Sequence, residues 1–312
     1  MKNTEILYPF KASDYQTFMQ DLADEIIARG YIKVNPISLS LRYRIIIANL
    51  KLSRNFKALS KNKPMLVFCG GYPDYAAFPF AYNHEIIPFV WDSWPKYWGR
   101  MIRSFKRHNI KLAFFTQRSV AEYMNSILLT TKCIYIPEGI NPRGYIKGKQ
   151  LKERTIDILE LGRLYKPIHN KLTQYAKTKN INLQYANDVT QHRLFNTFED
   201  LAAGLADSKI VINYPRCITH PEIAGHIETL TQRYWECMFS RCIMVGKAPQ
   251  ELIDLMGYNP VIESDESDIA STIDKILTNL DSYQSLVDRN YREANEKGTW
   301  SKRVDLLERY LS

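Results

Sequence analysis

The chain has 312 residues, a hydrophobic share of 45%, a charged share of 24% and a formal net charge of +9. Its length is about twice the ~150 residues of an average domain, so two domains are expected, and its composition excludes global disorder. No apolar run approaches the ~18 residues of a membrane span, and five cysteines without CxxC or paired spacing exclude a disulfide framework and a zinc ribbon.

Buried, reduced thiols in a cytoplasmic protein are the expectation for Cys69, Cys133, Cys217, Cys237 and Cys242. Residues 1–6 lack the apolar core of a secretory signal and carry Glu5 early, so secretion by that route is not expected. In chain order, residues 14–29 place Tyr15, Phe18, Met19, Leu22, Ile26 and Ile27 at helical spacing, with Gly30 as the stop. Residues 65–69 form a short apolar run ended by Gly70-Gly71, which reads as a buried strand entering a loop. Residues 86–91 form another, ended by Asp92-Ser93-Trp94-Pro95. Residues 112–115 and 133–136 are two more, with a helix over 120–129 between them. Residues 137–144 are a dense breaker cluster, and Gly148 follows, which places a domain boundary at 140–153.

The second half repeats the alternation. A strand over 156–161 ends at Gly162, and helices follow over 169–179 and 198–207, the latter capped by Asn196-Thr197. A strand over 210–212, a helix over 231–239, a strand over 242–245 and helices over 249–256 and 268–280 come next. In the tail, Val304, Leu307 and Leu311 recur at helical spacing. Short continuous apolar strands alternating with helices predict parallel sheets covered on both faces, hence the α/β class. The expected organisation is a domain over 1–145, a second over 146–290 and a terminal helical segment over 291–312.

Charge is uneven. Residues 1–150 hold 22 Lys+Arg against 10 Asp+Glu, and residues 151–312 hold 20 against 23. Arg42, Arg44, Lys51, Arg54, Lys57, Lys61 and Lys63 carry part of the excess, and Arg100, Arg103, Lys106, Arg107 and Lys111 carry more. Such asymmetry fits an anionic partner, either nucleic acid, an anionic membrane surface or a phosphorylated acceptor; a solvated basic face is the bland alternative. No nucleic-acid-binding motif accompanies it, so nucleic acid is not the expected partner.

Three features of the second half point to chemistry. Glu160-Leu161-Gly162-Arg163-Leu164-Tyr165-Lys166 puts a glycine and two cations outside the carboxyl end of a strand, where open α/β sheets bind ligands and where cations suit a phosphate. Glu228 and Glu236 have seven residues between them. On one helix, eight steps of ~1.5 Å span about 12 Å. That is too far to share a proton or a metal, and it suits two hydroxyl-bearing groups joined by a spacer, such as a hexose and a ribose flanking a diphosphate. The amides of Thr229 and Leu230 would hold the spacer if a helix starts there. Two unrelated surface glutamates are the alternative. The order of elements is the third feature: strand, irregular stretch over 214–226, Glu228, helix start, Glu236, buried strand.

Together these residues resemble the retaining GT-B glycosyltransferases of the group 1, family 4 type, in their compact, divergent bacterial form. Glu228 and Glu236 match the family's glutamate pair. Gly162, Arg163 and Lys166 match its Gly-Arg followed by a lysine, with Lys171 as the other candidate for that lysine. Ile136-Pro137-Glu138-Gly139 is similar to its turn after the last strand of the first domain, and residues 206–212 to the segment before the donor loop. Gln232-Arg233-Tyr234-Trp235-Glu236 resembles its arginine–aromatic–glutamate form, and Thr299-Trp300 the position before its last helix. Three departures stand out. Ser240-Arg241 replace a glycine, Trp91 stands where a histidine precedes the aspartate, and no glycine follows the first strand in residues 6–11.

The resemblance implies two Rossmann-like domains facing each other across a cleft that closes to exclude water, with the last helix crossing back to the first domain. It implies a nucleotide-diphosphate-sugar donor, UDP- or GDP-linked, on the second domain and a saccharide or lipid-linked acceptor on the first. Glu228 would contact sugar hydroxyls and Glu236 the ribose. Gly162, Arg163, Lys166, Tyr214, Thr229, Leu230 and Arg233 would surround the donor. No cofactor and no metal are implied, since basic residues and helix ends neutralise the diphosphate. Retention of anomeric configuration and a role in capsule, O-antigen or lipopolysaccharide assembly at the inner membrane face follow from the same likeness. A nucleotide-sugar epimerase of this fold, a non-enzymatic anion-binding or nucleic-acid-binding protein, and an inactive paralogue are the alternatives.

Other residues carry less. Asp92 is a candidate for support at the reacting centre or an acceptor contact, with a helix cap or turn residue as the alternative. His84 and His108 read as structural or solvent-facing. His220, His226 and Glu222 lack a recognised metal spacing. Arg216 joins Tyr214 as a candidate for the donor pocket, with core or rim packing as the alternative for both. Trp91, Trp94, Tyr97 and Trp98 suit either an acceptor platform or a core.

Overall fold

The computed structural model describes residues 3–10, 17–37, 42–43, 46, 63–162, 164–186 and 194–311. They form two compact units, Met1–Glu138 with Glu222–Ile227 and Trp300–Ser312, and Gly139–Pro221 with Glu228–Thr299.

The first unit is built on six parallel strands: β1 (Glu5–Leu7), β2 (Ile32–Val34), β3 (Lys63–Gly70), β4 (His84–Trp91), β5 (Leu112–Phe115) and β6 (Lys132–Tyr135), in the order β2-β1-β3-β4-β5-β6. Residues 65–69 of β3 and 86–91 of β4 are buried without interruption, as strands covered on both faces must be. On one face lie helix Phe18–Ala28, through Leu22, Ala23 and Ile26, and helix Trp300–Leu311, through Trp300, Val304, Leu307 and Leu311. Arg29 ties these two helices, 3.0 Å from Asp305 and 3.6 Å from Glu308. The first helix begins at Phe18, later than the periodicity alone places it; Tyr15 lies outside the described residues. Trp91 is 3% exposed and packs between Phe89, Phe18 and Trp300, so the position resembling a histidine site is core.

Of the basic residues singled out above, Arg44, Lys51, Arg54, Lys57 and Lys61 lie outside the described residues. Lys63 pairs with Glu5 at 3.0 Å. On helix Pro95–His108, Lys96, Arg103 and Lys106 are exposed, and Arg100 packs over the rings of Tyr72 and Tyr75.

The second unit carries five parallel strands, β7 (Ile156–Glu160), β8 (Leu183–Tyr185), β9 (Ser208–Asn213), β10 (Ile243–Gly246) and β11 (Val261–Glu263), in the order β11-β10-β9-β7-β8. Alternation along the strands sends Ile158, Ile210 and Ile243 into one core and Leu159, Val211 and Met244 into the other. The first core is closed by helices Lys166–Lys179 and Ile269–Thr278, the second by Phe198–Ala206 and Gln232–Phe239. Local sequence sets several helix limits. Thr197 and Asp200 form a capping box ahead of Phe198. Pro95 and Pro167 stand in first turns, and Asn109 and Asn180 end the same two helices in the left-handed conformation.

Four of the five cysteines are buried and all are unpaired. Among the described residues, no helix is long and apolar enough to cross a membrane.

Both singled-out histidines hold structure. His84 Nε2 lies 3.0 Å from Glu5, and buried His108 lies 3.0 Å from Asp74, which also accepts from Ser104. Burial alone pushes the Asp74 carboxyl up, but the hydrogen bonds from His108 and Ser104, with Arg107 nearby, outweigh it and leave it below the usual carboxylate range. Its stabilising effect is therefore complete above about pH 4 and is lost as pH falls through the lowered value. Asp74→Asn is expected to destabilise the protein by about 2 kcal/mol at neutral pH. The difference from wild type should shrink on acidification, as read by thermal unfolding from pH 7 to pH 3.

Candidate functional site

The order of the second sheet fixes where a ligand fits. From β7 the chain moves to β8 on one side, then crosses to β9 on the other. The connections leaving β7 and β9 thus diverge and open a crevice outside their carboxyl ends.

Glu160 closes β7, and Gly162 follows with a φ of +74°. Among the described residues other than its chain neighbours, no atom lies within 4 Å of where a Cβ would stand there, which leaves room for an approaching group. Helix Lys166–Lys179 starts next, with Lys166 exposed. Tyr214 follows β9, and its ring centroid lies 5.7 Å from that of Tyr165. Gly246 ends β10 with a φ of +137°, and a Cβ there would meet the Asn213 carbonyl at 2.1 Å. Only glycine lets β10 and the end of β9 approach so closely. Tyr165, Tyr214, Gly246, Lys247 and residues 263–268 line a cleft of about 740 Å³ at these strand ends.

The glutamate pair is placed differently from the single-helix expectation. The helix is Gln232–Phe239, with Thr231 as its N-cap, so Glu228 stands before it and the rise-per-residue argument does not apply. The Leu230 amide donates to the buried Glu251 carboxylate at 3.2 Å, and the helix's own first amides belong to residues further on. Thr229 is buried at 4% exposure. Glu228 is half-buried and reaches Lys247 of the cleft lining. One of its oxygens lies 3.3 Å from Lys247 Nζ, and the other accepts from the Gln250 amide at 3.1 Å. Glu236 is buried on the helix, where it accepts from Tyr145 Oη at 3.2 Å and lies 2.6 Å from Arg233 Nη1. Arg163 lies outside the described residues.

Tyr214 donates to the Ser264 carbonyl at 2.8 Å. Burial, then the negative charges of Asp268 and Asp265, push its hydroxyl well above the ordinary tyrosine value. Among the described residues, no group of three or more His, Cys, Asp and Glu side chains is arranged to hold a metal ion.

In the first unit, Asp92 stands exposed at the carboxyl end of β4 with a φ of +49°. Aspartate tolerates this conformation better than most residues. The turn is fixed around it. Buried Gln117 accepts from both the amide and the hydroxyl of Ser93, and Trp98 Nε1 donates to the Ser93 carbonyl at 2.9 Å. Helix Pro95–His108 is N-capped by Trp94, so Asp92 is a turn residue and not the cap. Trp91 and Trp94 are core, while Trp98 stacks on Tyr123 at 4.1 Å.

Sequence reasoning missed one pair at the crevice. Glu160 is 3% exposed and takes a 2.6 Å hydrogen bond from His169 Nδ1, whose ring meets Tyr185 edge-on at 4.5 Å. Burial raises the Glu160 carboxyl above the ordinary value, and His169 offsets part of that. The signal was present as an acidic residue closing an otherwise apolar strand.

No family model matches the sequence, and comparison with curated proteins returns no relative. Solved structures do match. Sucrose-phosphate synthase from Thermosynechococcus elongatus is similar with a TM-score of 0.65 at 9% identity, over 98% of each chain. HepE from Anabaena, in complex with UDP-glucose, gives 0.63 at 8% identity, over 99% of each chain. An α,α-trehalose-phosphate synthase (UDP-forming) from Burkholderia vietnamiensis gives 0.51 at 11% identity, over 87% of this chain and 76% of that one. The chain has the GT-B fold. At such identities the likeness is one of fold. The GT-B architecture accounts for the two parallel sheets and leaves the chemistry to the side chains.

A raised Glu160 carboxyl means that the folded state holds its proton more tightly than the unfolded chain. Wild-type stability should therefore fall relative to Glu160→Gln as pH rises from the ordinary carboxylate range through the raised value. Thermal midpoints of the two proteins at pH 4.5 and pH 7.5 check this. A wild-type advantage that grows with pH would refute it.

Proposed function

We propose that the protein is a glycosyltransferase that moves a sugar from a nucleotide-diphosphate sugar, UDP- or GDP-linked, to a saccharide or lipid-linked saccharide. The observation that carries this reading is the crevice at the strand-order reversal of the second unit. There Tyr165, Tyr214 and Lys247 line one cleft; the Gly162 turn and Lys166 flank Tyr165 in the chain, and Glu228 pairs with Lys247. The GT-B fold adds support.

In this reading Glu236 accepts from the ribose hydroxyls, held in place by Tyr145 and Arg233. Glu228 accepts from hydroxyls of the transferred sugar. Lys166 and Arg163 carry the charge that grows on the leaving diphosphate as the sugar's C1–O bond breaks, so the protein's own cations replace a metal ion in this role. Tyr214, Thr229 and Leu230 shape the donor pocket, the last two by packing. The acceptor's hydroxyl oxygen then bonds C1 on the face the diphosphate left, with retention, as its proton passes to the departing diphosphate oxygen. The cations of helix Pro95–His108 suit a phosphorylated or lipid-linked acceptor at an anionic membrane surface, as in bacterial surface polysaccharide assembly on the cytoplasmic side.

The test is thermal unfolding with UDP, GDP, ADP and CMP, each at about 100 times its dissociation constant. One nucleoside diphosphate should stabilise the protein by about 2.7 kcal/mol. Glu236→Gln should weaken that nucleotide at least about tenfold, through loss of charged hydrogen bonds. If no nucleotide shifts the midpoint, the donor reading fails.

A further inference from the structure

Building on the glycosyltransferase reading, we propose that the acceptor is a lipid phosphate and that the first carbons of its hydrocarbon chain occupy a cavity at the carboxyl ends of β1, β2 and β3 in the first unit. The cavity measures about 230 Å³, and Tyr8, Phe10, Pro36, Phe68, Tyr72 and Tyr75 are among the residues that line it. It lies at the strand-order reversal of the first sheet, where the chain leaves β1 for β2 on one side and returns to β3 on the other.

The lining does not suit a sugar ring. It includes no Asp, Glu, Asn, Gln, Lys, Arg or His, the side chains best equipped to bond several hydroxyls. Of its four polar side chains, three are already engaged. Tyr8 Oη donates to Asp24 at 3.2 Å, Tyr75 Oη accepts from Arg100, and the Cys69 thiol donates to the Phe89 carbonyl at 3.7 Å. An apolar cavity of about 150 Å³ holds a benzene ring, so this one has room for roughly eight or nine carbons.

Cations stand against this apolar lining. Lys33 Nζ lies 3.7 Å from the centroid of the Tyr8 ring, and the Arg100 guanidinium lies 4.4 Å and 5.1 Å from those of Tyr72 and Tyr75. Two positive charges are thus held beside the cavity, where they suit a phosphate at the end of a chain. The stretch over 26–73, which supplies β2 and β3, carries nine Lys and Arg and no Asp or Glu. That excess equals the formal net charge of the whole chain, +9.

An uncharged aromatic acceptor would use the cavity and leave the cations idle, whereas a phosphate-linked chain uses both. The mouth fits the same occupant. Phe10 lines the cavity and is 47% exposed, and Ile37, next to the lining Pro36, is 45% exposed. Exposed apolar side chains beside cations are what a lipid meets first as it leaves an anionic bilayer. The cavity then takes up the first carbons of the chain, and the phosphate with its saccharide stays at the mouth.

The test is calorimetric titration of the full chain with octyl phosphate below its micellar concentration, butyl phosphate, octanol, phenyl phosphate and inorganic phosphate. One octyl phosphate should bind per chain, at least about thirtyfold more tightly than butyl phosphate, because four more methylenes leave water. Octanol should bind about tenfold more weakly than octyl phosphate, for want of the charged contacts, and inorganic phosphate should give no heat of binding. Ala76→Leu fills the cavity from a half-buried lining position and should weaken octyl phosphate at least about tenfold, while nucleoside diphosphates still raise the thermal midpoint of that variant. Lys33→Gln, at an exposed residue, should weaken octyl phosphate and leave octanol unchanged. Octyl phosphate binding no more tightly than inorganic phosphate, or equally to wild type and both variants, would overturn the site and leave the donor reading standing. Phenyl phosphate binding as tightly as octyl phosphate would overturn the hydrocarbon chain in favour of an aromatic acceptor. Octyl phosphate binding without any nucleotide binding would remove the donor reading and, with it, the acceptor role of the cavity.

Discussion

Parallel pairing requires each strand to return through a connection long enough to cross the sheet, and it gathers every carboxyl end on one edge. Both units obey this constraint, and each sheet reverses its strand order once, between β1 and β3 in the first and between β7 and β9 in the second. The candidate site residues then need no sequence proximity. Gly162, Tyr214, Gly246 and Asp268 span more than a hundred positions, yet they belong to turns that leave neighbouring strands of one sheet. Since the ends of β7, β9 and β10 are buried and hydrogen-bonded, their turns inherit a rigid base, and the candidate side chains inherit the turns.

The interior of both sheets was legible because a strand covered on two faces must be apolar at successive positions. Residues 65–69, 86–91, 112–115, 156–161, 210–212 and 242–245 carry that signature. Of the edge strands, β6 leaves the run over 133–136, but two others leave none. β2 has no buried residue among its three, and β8 is only partly buried, so neither leaves an apolar run. Helix Leu280–Lys297 was missed for a similar reason. Only Val287, Asn290 and Ala294 of its 18 residues are buried, a stripe too narrow to stand out. At the site, residue types were readable but partners were not. Glu228 and Glu236 could be noticed by spacing, whereas the Lys247, Tyr145 and Glu251 contacts exist only after the sheet has formed. Glu160 was hidden by its own strand, and His169 could not be linked to it without the helix that carries it back.

Departures from the resembling family also find physical explanations. Arg241 occupies a position where glycine is usual, and its φ of +56° is the conformation a glycine would take freely. The strain is offset by contacts that only a long cation can make. Its guanidinium pairs with Asp288, and Nη1 donates to the Gly148 carbonyl at 2.7 Å. Trp91 replaces a polar residue with a ring that joins the core of Phe89, Phe18 and Trp300. In one case charge stabilises a strained backbone, and in the other apolar volume takes over a site position.

Helix Trp300–Leu311 packs in the first unit although it is the last element of the described chain. During synthesis, residues 3–138 leave the ribosome long before the helix that covers Leu22, Ala23 and Ile26 has been made. Until then that apolar stripe lacks part of its cover. The sheet of the second unit, β7 to β11, has by that time all its strands. Domains commonly mature in the order in which they are translated; here the half begun first is completed last, and its core depends on the final twelve residues of helix.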